Sequence, residues 1–183
     1  MLTQLRRSVV LSVVFLVLLG LAYPLAGTGI SHLLFAHQAD GSLTPEGSTL
    51  IGQRWPGPRW FQGRPDGTVL TNRPDQVVVS GTNQPGPRSR LLARSVARQA
   101  AHLEKEGIVP TNDLVTTSGS LVDPDISPAD AYAQVAAVAG ARGLPAATVR
   151  RLVATHVHPR QLGFLGADYV DVLELNLALA HLR

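Results

Sequence analysis

Cysteine is absent from the 183-residue chain, which removes a disulfide framework, a thiol nucleophile and a thiolate metal site from consideration. Lysine is nearly absent: Lys105 stands alone and arginine supplies the other basic residues, so lysine-based catalysis is excluded from most of the chain. No glycine-rich loop ending in Lys and Ser or Thr is present to cradle phosphate, and no G-x-S-x-G elbow frames a serine nucleophile. No internal repeat is apparent, which argues against a solenoid or propeller. The formal net charge of +3 includes Arg6 and Arg7 ahead of an apolar run, and the remaining basic residues nearly match the 13 acidic ones. That leaves no basic face or stripe for a nucleic-acid partner.

A further absence is the most informative. From Ser8 to Ala39 there is no Asp, Glu, Lys or Arg, and Val9–Ala26 is almost wholly apolar. A bilayer's hydrocarbon core of about 30 Å takes roughly 20 helical residues, so this stretch is long enough to span it. A cleaved signal peptide is the competing reading, but its apolar part typically runs only about 7–15 residues. The Arg6–Arg7 pair, with no further positive charge before Arg54, places the N-terminus in the cytoplasm and the rest of the chain outside. Tyr23 sits where an interfacial aromatic is expected, and Pro24 is expected to end or kink the helix. The expected organisation is a cytoplasmic N-terminus and transmembrane anchor over residues 1–27, a tether over 28–48 with a short helix near Ile30–Phe35, and one extracytoplasmic soluble domain over 49–183. A domain of that size has room for one modest core.

The soluble part reads as α+β. The stretch Ile51–Asn83 is rich in Gly and Pro, which excludes long helices and leaves loops and short strands, with Val77–Val79 the best strand candidate. Leu92, Val96, Ala100 and Leu103 recur at helical spacing and predict an amphipathic helix over Ser89–Glu106, stopped by Gly107. Ser127 as N-cap, Pro128 at the first helical position and Asp130 near the free amides predict a second helix to Arg142, ended by Gly143. Pro145 opens a third, to about Val157, with Val149, Leu152 and Val153 facing inward. Tyr169–Leu182 reads as a strand followed by a helix.

Few residues suggest chemistry. Ser80-Gly81-Thr82-Asn83-Gln84 is loosely like a nucleotide-contacting signature of transporter ATPases, but small polar residues also make ordinary strand-end turns. His156 and His158 form an H-x-H pair with no third ligand nearby in sequence. Trp55, Trp60 and Phe61 crowd together among Arg54, Arg59 and Arg64, a composition that suits either an interface or a small core beneath a proline-rich loop. Glu174 and Asn176, set among leucines, suit polar positions inside the domain.

Taken together, Pro58–Pro65 (PRWFQGRP), Ser80–Asn83, Val109–Ser127 (VPTNDLVTTSGSLVDPDIS), Gln161–Gly166 (QLGFLG) and Val170–Leu179 (VDVLELNLAL) resemble the C subunit of the Kdp potassium-transporting P-type ATPase, the KdpC family. Their order and spacing hold over nearly the whole chain. The resemblance implies a non-catalytic accessory subunit of a high-affinity potassium uptake complex in a bacterial inner membrane. Its implied partners are a channel-like potassium-binding subunit and the P-type ATPase catalytic subunit. The implied role is to stabilise assembly and to act as a catalytic chaperone that raises the pump subunit's affinity for ATP. No cofactor is expected to bind tightly, ATP being met through the complex. Trp60, Phe61, Gly63 and Arg64 become candidate partner contacts, and Ser80, Gly81, Asn83 and Gln84 candidate nucleotide-related residues. The chain departs from the family's pattern at Gln62 and Asp125, where His is usual, at Asp171, where Asn is usual, and at Arg88-Ser89-Arg90. Without the resemblance, an unrelated membrane-anchored adaptor would fit the same anchor and domain.

Overall fold

The computed structural model describes residues 1–66, 69–70 and 85–182. It divides into two compact units, Met1–Leu43 and Thr44–Arg183. The first is built on one apolar helix, Leu2–Leu34, long and apolar enough to cross a membrane. At 1.5 Å per residue its 33 residues extend for about 50 Å. The helix is α-helical over α1 (Leu2–Val17), passes through a π-helical turn at Leu18–Ala22, and continues as α2 (Tyr23–Leu34).

Of the two effects expected of Pro24, ending or kinking the helix, the first does not occur. The Tyr23 N–H reaches back five residues to the Leu18 carbonyl, and this wider turn accommodates the proline ring and its missing donor. The break comes at Phe35, whose φ of −139° leaves the helical region, before the short α3 (Ala36–Ala39). The first residues of the expected tether are thus helical.

The second unit surrounds its core with helices and adds very short strands. β1 (Leu43–Thr44) and β2 (Gly47–Ser48) are followed by β3 (Gln53–Arg54), which pairs in parallel with β4 (Val69–Leu70). β5 (Asp125–Ile126) pairs antiparallel with β6 (Val170–Asp171), Asp125 opposite Asp171 and Ile126 opposite Val170. The expected strand Val77–Val79 lies outside the described residues.

The helices follow their local signals. α4 (Arg90–Lys105) is capped by Ser89, whose hydroxyl accepts the Leu91 N–H. A short α5 (Asn112–Val115) precedes β5. α6 (Pro128–Arg142) has Ser127 as N-cap and ends at Gly143, whose φ of +69° is open to glycine at little cost. α7 (Ala146–Thr155) follows directly, and α8 (Val172–Ala180) is capped by Asp171, which accepts the Glu174 N–H at 2.8 Å.

Burial follows the helical repeat. Ala131, Val135, Val138 and Ala139 of α6, Val149 and Val153 of α7, and Val172, Leu173, Leu175 and Leu179 of α8 close on Ile126, Val170, Trp55 and Phe61. A satellite cluster of Leu103, Ile108 and Leu114 sits between α4 and α5. The main core thus lies between α6, α7, α8 and the β5–β6 ladder, with the segment 55–61 inserted into it.

Candidate interaction site

Residues 57–66 carry Arg59, Trp60, Phe61 and Arg64 of the aromatic and arginine cluster and contain no helix or ladder strand. Proline and glycine leave this backbone without regular partners, so its buried amides need them elsewhere. Two side-chain carboxamides supply them. The Phe61 N–H donates to Asn176 Oδ1 at 2.9 Å, and Asn176 Nδ2 donates back to the Phe61 carbonyl at 2.9 Å. The Gln62 N–H donates to Gln134 Oε1 at 2.8 Å, and Gln134 Nε2 donates to the Gln62 carbonyl at 3.0 Å.

Each carboxamide exchanges both bonds with one residue, as a neighbouring strand does in an antiparallel pair. Successive residues of an extended chain turn their polar groups to opposite sides. Asn176 on α8 and Gln134 on α6 therefore hold the segment from either side. Asn176 and Gln134 are fully buried, and Phe61 is driven into the core with no exposed surface. Asn176 thus occupies the internal polar position expected of it, whereas Glu174 is exposed and its Oε2 meets His158 Nε2 at 3.1 Å.

The neighbouring side chains extend the same arrangement. Trp60 packs on Trp55 with ring centroids 4.9 Å apart, and the Arg142 guanidinium lies 4.4 Å from the Trp60 ring centroid. Arg142 donates to the Arg59 carbonyl at 2.8 Å and the Leu179 carbonyl at 3.0 Å, joining the ends of α6 and α8 to this segment. Burial first, and then nearby Arg59, lower its pKa. Trp55 and Phe61 of the aromatic cluster are core residues, and Trp60 is partly buried against them.

Arg64 is paired internally as well. It meets Asp113 Oδ1 at 2.6 Å and donates to Thr116 Oγ1 and the Thr117 carbonyl at 3.3 Å. Asp113 in turn accepts the Ser127 N–H at 3.1 Å, at the cap of α6. Asp66 orders the following loop by accepting the N–H groups of Ser118 and Asp123 at 2.7 and 3.2 Å. The Asp130 carboxylate takes the hydroxyls of Thr111 and Ser127. Gly63 has no steric need of its missing side chain, since a Cβ there would meet Val172 at an ordinary 3.8 Å. Ser80, Gly81, Asn83 and Gln84 lie outside the described residues.

His156 and His158 take separate partners, the Leu152 carbonyl at 2.8 Å and Glu174. Among the described residues no group of three or more His, Asp or Glu is placed to hold a metal ion.

Two departures from the family pattern face each other, because Asp125 and Asp171 are a cross-strand pair. Burial, then Asp171 and Asp123, push the Asp125 carboxyl up to about 6. Burial also raises Asp171, against the lowering effect of the N–H groups at the start of α8. At Gln62 the side chain donates to the Gly57 and Trp60 carbonyls, both at 3.1 Å, and Ser89 serves as the cap of α4.

The fold and these contacts define a membrane-anchored domain in which Asn176, Gln134, Asp113 and Asp66 hold the domain's own segments together. The chain matches the family model described as the c chain of K+-transporting ATPase over residues 5–181, and it belongs to that family, KdpC. It is 46% identical to the potassium-transporting ATPase KdpC subunit of Gemmatimonas aurantiaca, over 98% of this chain and 93% of the relative. It is 48% identical to the KdpC subunit of Sorangium cellulosum, over 98% of each chain. The KdpC subunit of Bradyrhizobium diazoefficiens is 44% identical over 98% of this chain and 97% of that one. The chain is an accessory subunit of a potassium pump, not an unrelated adaptor.

Two predictions follow from these contacts. Asn176→Leu, close in volume, leaves the Phe61 N–H and carbonyl buried and unpaired, and should cost about 2–4 kcal/mol. Thermal denaturation of the full chain in detergent measures it. The second concerns pH: the folded chain holds the Asp125 proton more tightly than the unfolded chain, whose value is near 3.8. Stability therefore falls as pH rises through the window from about 4 to about 6. Asp125→Asn should stabilise the chain by about 1 kcal/mol at pH 7.5, discounted because the group is half-exposed, and by nothing below about pH 4. Melting curves across that range check both the size and the sign.

Proposed function

We propose that the chain stabilises assembly of the pump and raises the catalytic subunit's affinity for ATP by mechanical means, from the side of the membrane opposite the ATP. The anchor packs against the channel-like potassium-binding subunit, and the domain covers the mouth through which potassium enters. The P-type ATPase subunit feels it through that partner. The observation that carries this reading is a long apolar helix joined to a domain whose candidate contact residues are held by internal bonds. Phe61 shapes the surface from within, while Trp60, Gly63 and Arg64 stay partly exposed and remain candidate partner contacts.

Orientation supports the same reading. Arg6 and Arg7 flank the apolar run on one side, and no arginine or lysine follows before Arg54. This charge bias favours a cytoplasmic N-terminus and an extracytoplasmic domain. Ser80, Gly81, Asn83 and Gln84 would then face a compartment poor in ATP. Their nucleotide-related role belongs to the reversed orientation only.

The test is labelling of Ser95→Cys, an exposed position in this cysteine-free chain, with a membrane-impermeant maleimide in cells expressing the whole pump. Labelling of intact cells is expected, together with a higher KM for ATP in pump purified without the domain. Labelling only after permeabilisation reverses the orientation and returns Ser80–Gln84 to direct nucleotide contact. An unchanged KM removes the chaperone role.

A further inference from the structure

The hairpin between α7 and β6 serves no purpose within the domain's own core. His158 and Tyr169 close its base, exchanging main-chain bonds of 2.8 and 3.0 Å, and their rings stack with centroids 4.8 Å apart. Farther out, the Gln161 N–H meets the Leu165 carbonyl at 3.0 Å and the Leu165 N–H returns to the Gln161 carbonyl at 2.9 Å. The Arg160 N–H is held by Asp168 at 3.1 Å. The tip is thus fixed by backbone bonding. Yet it presents Leu162, Phe164 and Leu165 to solvent, at 82%, 71% and 48% exposure.

The turn itself runs against local preference. Leu162 and Gly163 occupy its two central positions at φ of +53° and +81°, with the Phe164 N–H bonded to the Gln161 carbonyl at 3.3 Å. A tight hairpin with positive φ at both positions favours Asn-Gly or Asp-Gly, because a branched side chain is strained there. Asparagine at 162 would relieve the backbone and remove an exposed apolar group together. Leucine does neither, so its side chain is accounted for by something the domain does not contain.

The geometry points to this hairpin tip as a pre-formed apolar plug that seats Leu162, Phe164 and Leu165 in a hydrophobic pocket on another subunit of the potassium pump. The inference rests on the assembly reading above and names the surface it uses. A protein pocket is favoured over lipid on two grounds. A fluid bilayer gains nothing from a strained, rigid turn, whereas a fixed pocket rewards a ligand that loses no freedom on binding. The tip also lacks the basic cluster that draws a loop to anionic headgroups, its flanking charges being Arg160 and Asp168. A second copy of this chain is disfavoured because a cavity of ≈ 600 Å³ among the described residues sets Arg54, Arg64, Asp66, His102 and Glu106 beside Trp55, Leu103 and Leu114. Burying a leucine or phenylalanine there would strip those groups of water.

The experiment replaces Phe164 with p-benzoylphenylalanine in the full chain, expressed with the whole pump, and irradiates native membranes. The expected product is an adduct to one defined segment of another pump subunit, identified by mass spectrometry. Adducts to lipid alone or to a second copy, or no adduct, overturn the inference. Leu162→Asn with Phe164→Ser provides the second arm. The variant should melt no lower than the original chain, and should leave detergent-solubilised pump at least tenfold faster. Unchanged retention of a folded variant overturns the plug while leaving the assembly reading intact. Failure of the unmodified chain to co-purify with the pump overturns that reading itself.

Discussion

The soluble unit depends on a substitution of side-chain amides for a strand. The segment that brings Trp55, Trp60 and Phe61 into the core is too rich in proline and glycine to form its own ladder, yet Phe61 is completely buried. Burying that ring takes its backbone out of water, and an unpaired buried amide or carbonyl costs about 1–3 kcal/mol. Asn176 and Gln134 offset this by acting as strand neighbours from α8 and α6. With residues 61 and 62 fixed, Trp60 is delivered to Arg142 and Arg64 to Asp113. The α6 cap and the C-terminal end of α8 are thereby tied to one segment.

This economy bears on function. Among the described residues, Asn176, Gln134, Asp113 and Asp66 are committed to holding the domain's own segments. What the chain offers outward is a helix long and apolar enough to cross a membrane, joined to a domain with a well-packed core. The mechanical role proposed above asks the small domain to pass a constraint to a larger partner, which a segment clamped at residues 61 and 62 would help it to do.

The regular elements were legible in the sequence because their signals are local. Ser127-Pro128 and Gly143 bound α6, Ser89 caps α4, and the spacing of Val149 and Val153 names the buried face of α7, whereas on α4 only Leu103 of the spaced apolar residues is buried. The strand-then-helix reading of the C-terminus also holds, because Asp171 both ends β6 and caps α8. The pairing of Asn176 and Gln134 with residues 61 and 62 was not legible, as it joins positions 115 and 72 residues apart through side-chain geometry alone. The only hint was Asn176, set with Glu174 among the leucines of α8. That Pro24 would not end the helix was not legible for a related reason: a proline's effect depends on whether the preceding turn can widen, and Leu18–Ala22 does. The facing of Asp125 and Asp171 likewise required the strand register.

Native-state hydrogen exchange of the full chain in detergent tests the central claim most directly, because it reads the Phe61 and Gln62 amides one by one. If the carboxamide clasp holds the domain together, both exchange only through global unfolding, at the free energy found for the interior amides of α8. Exchange of either at the rate of the surrounding proline-rich loop would show that the segment opens locally, and would contradict the account.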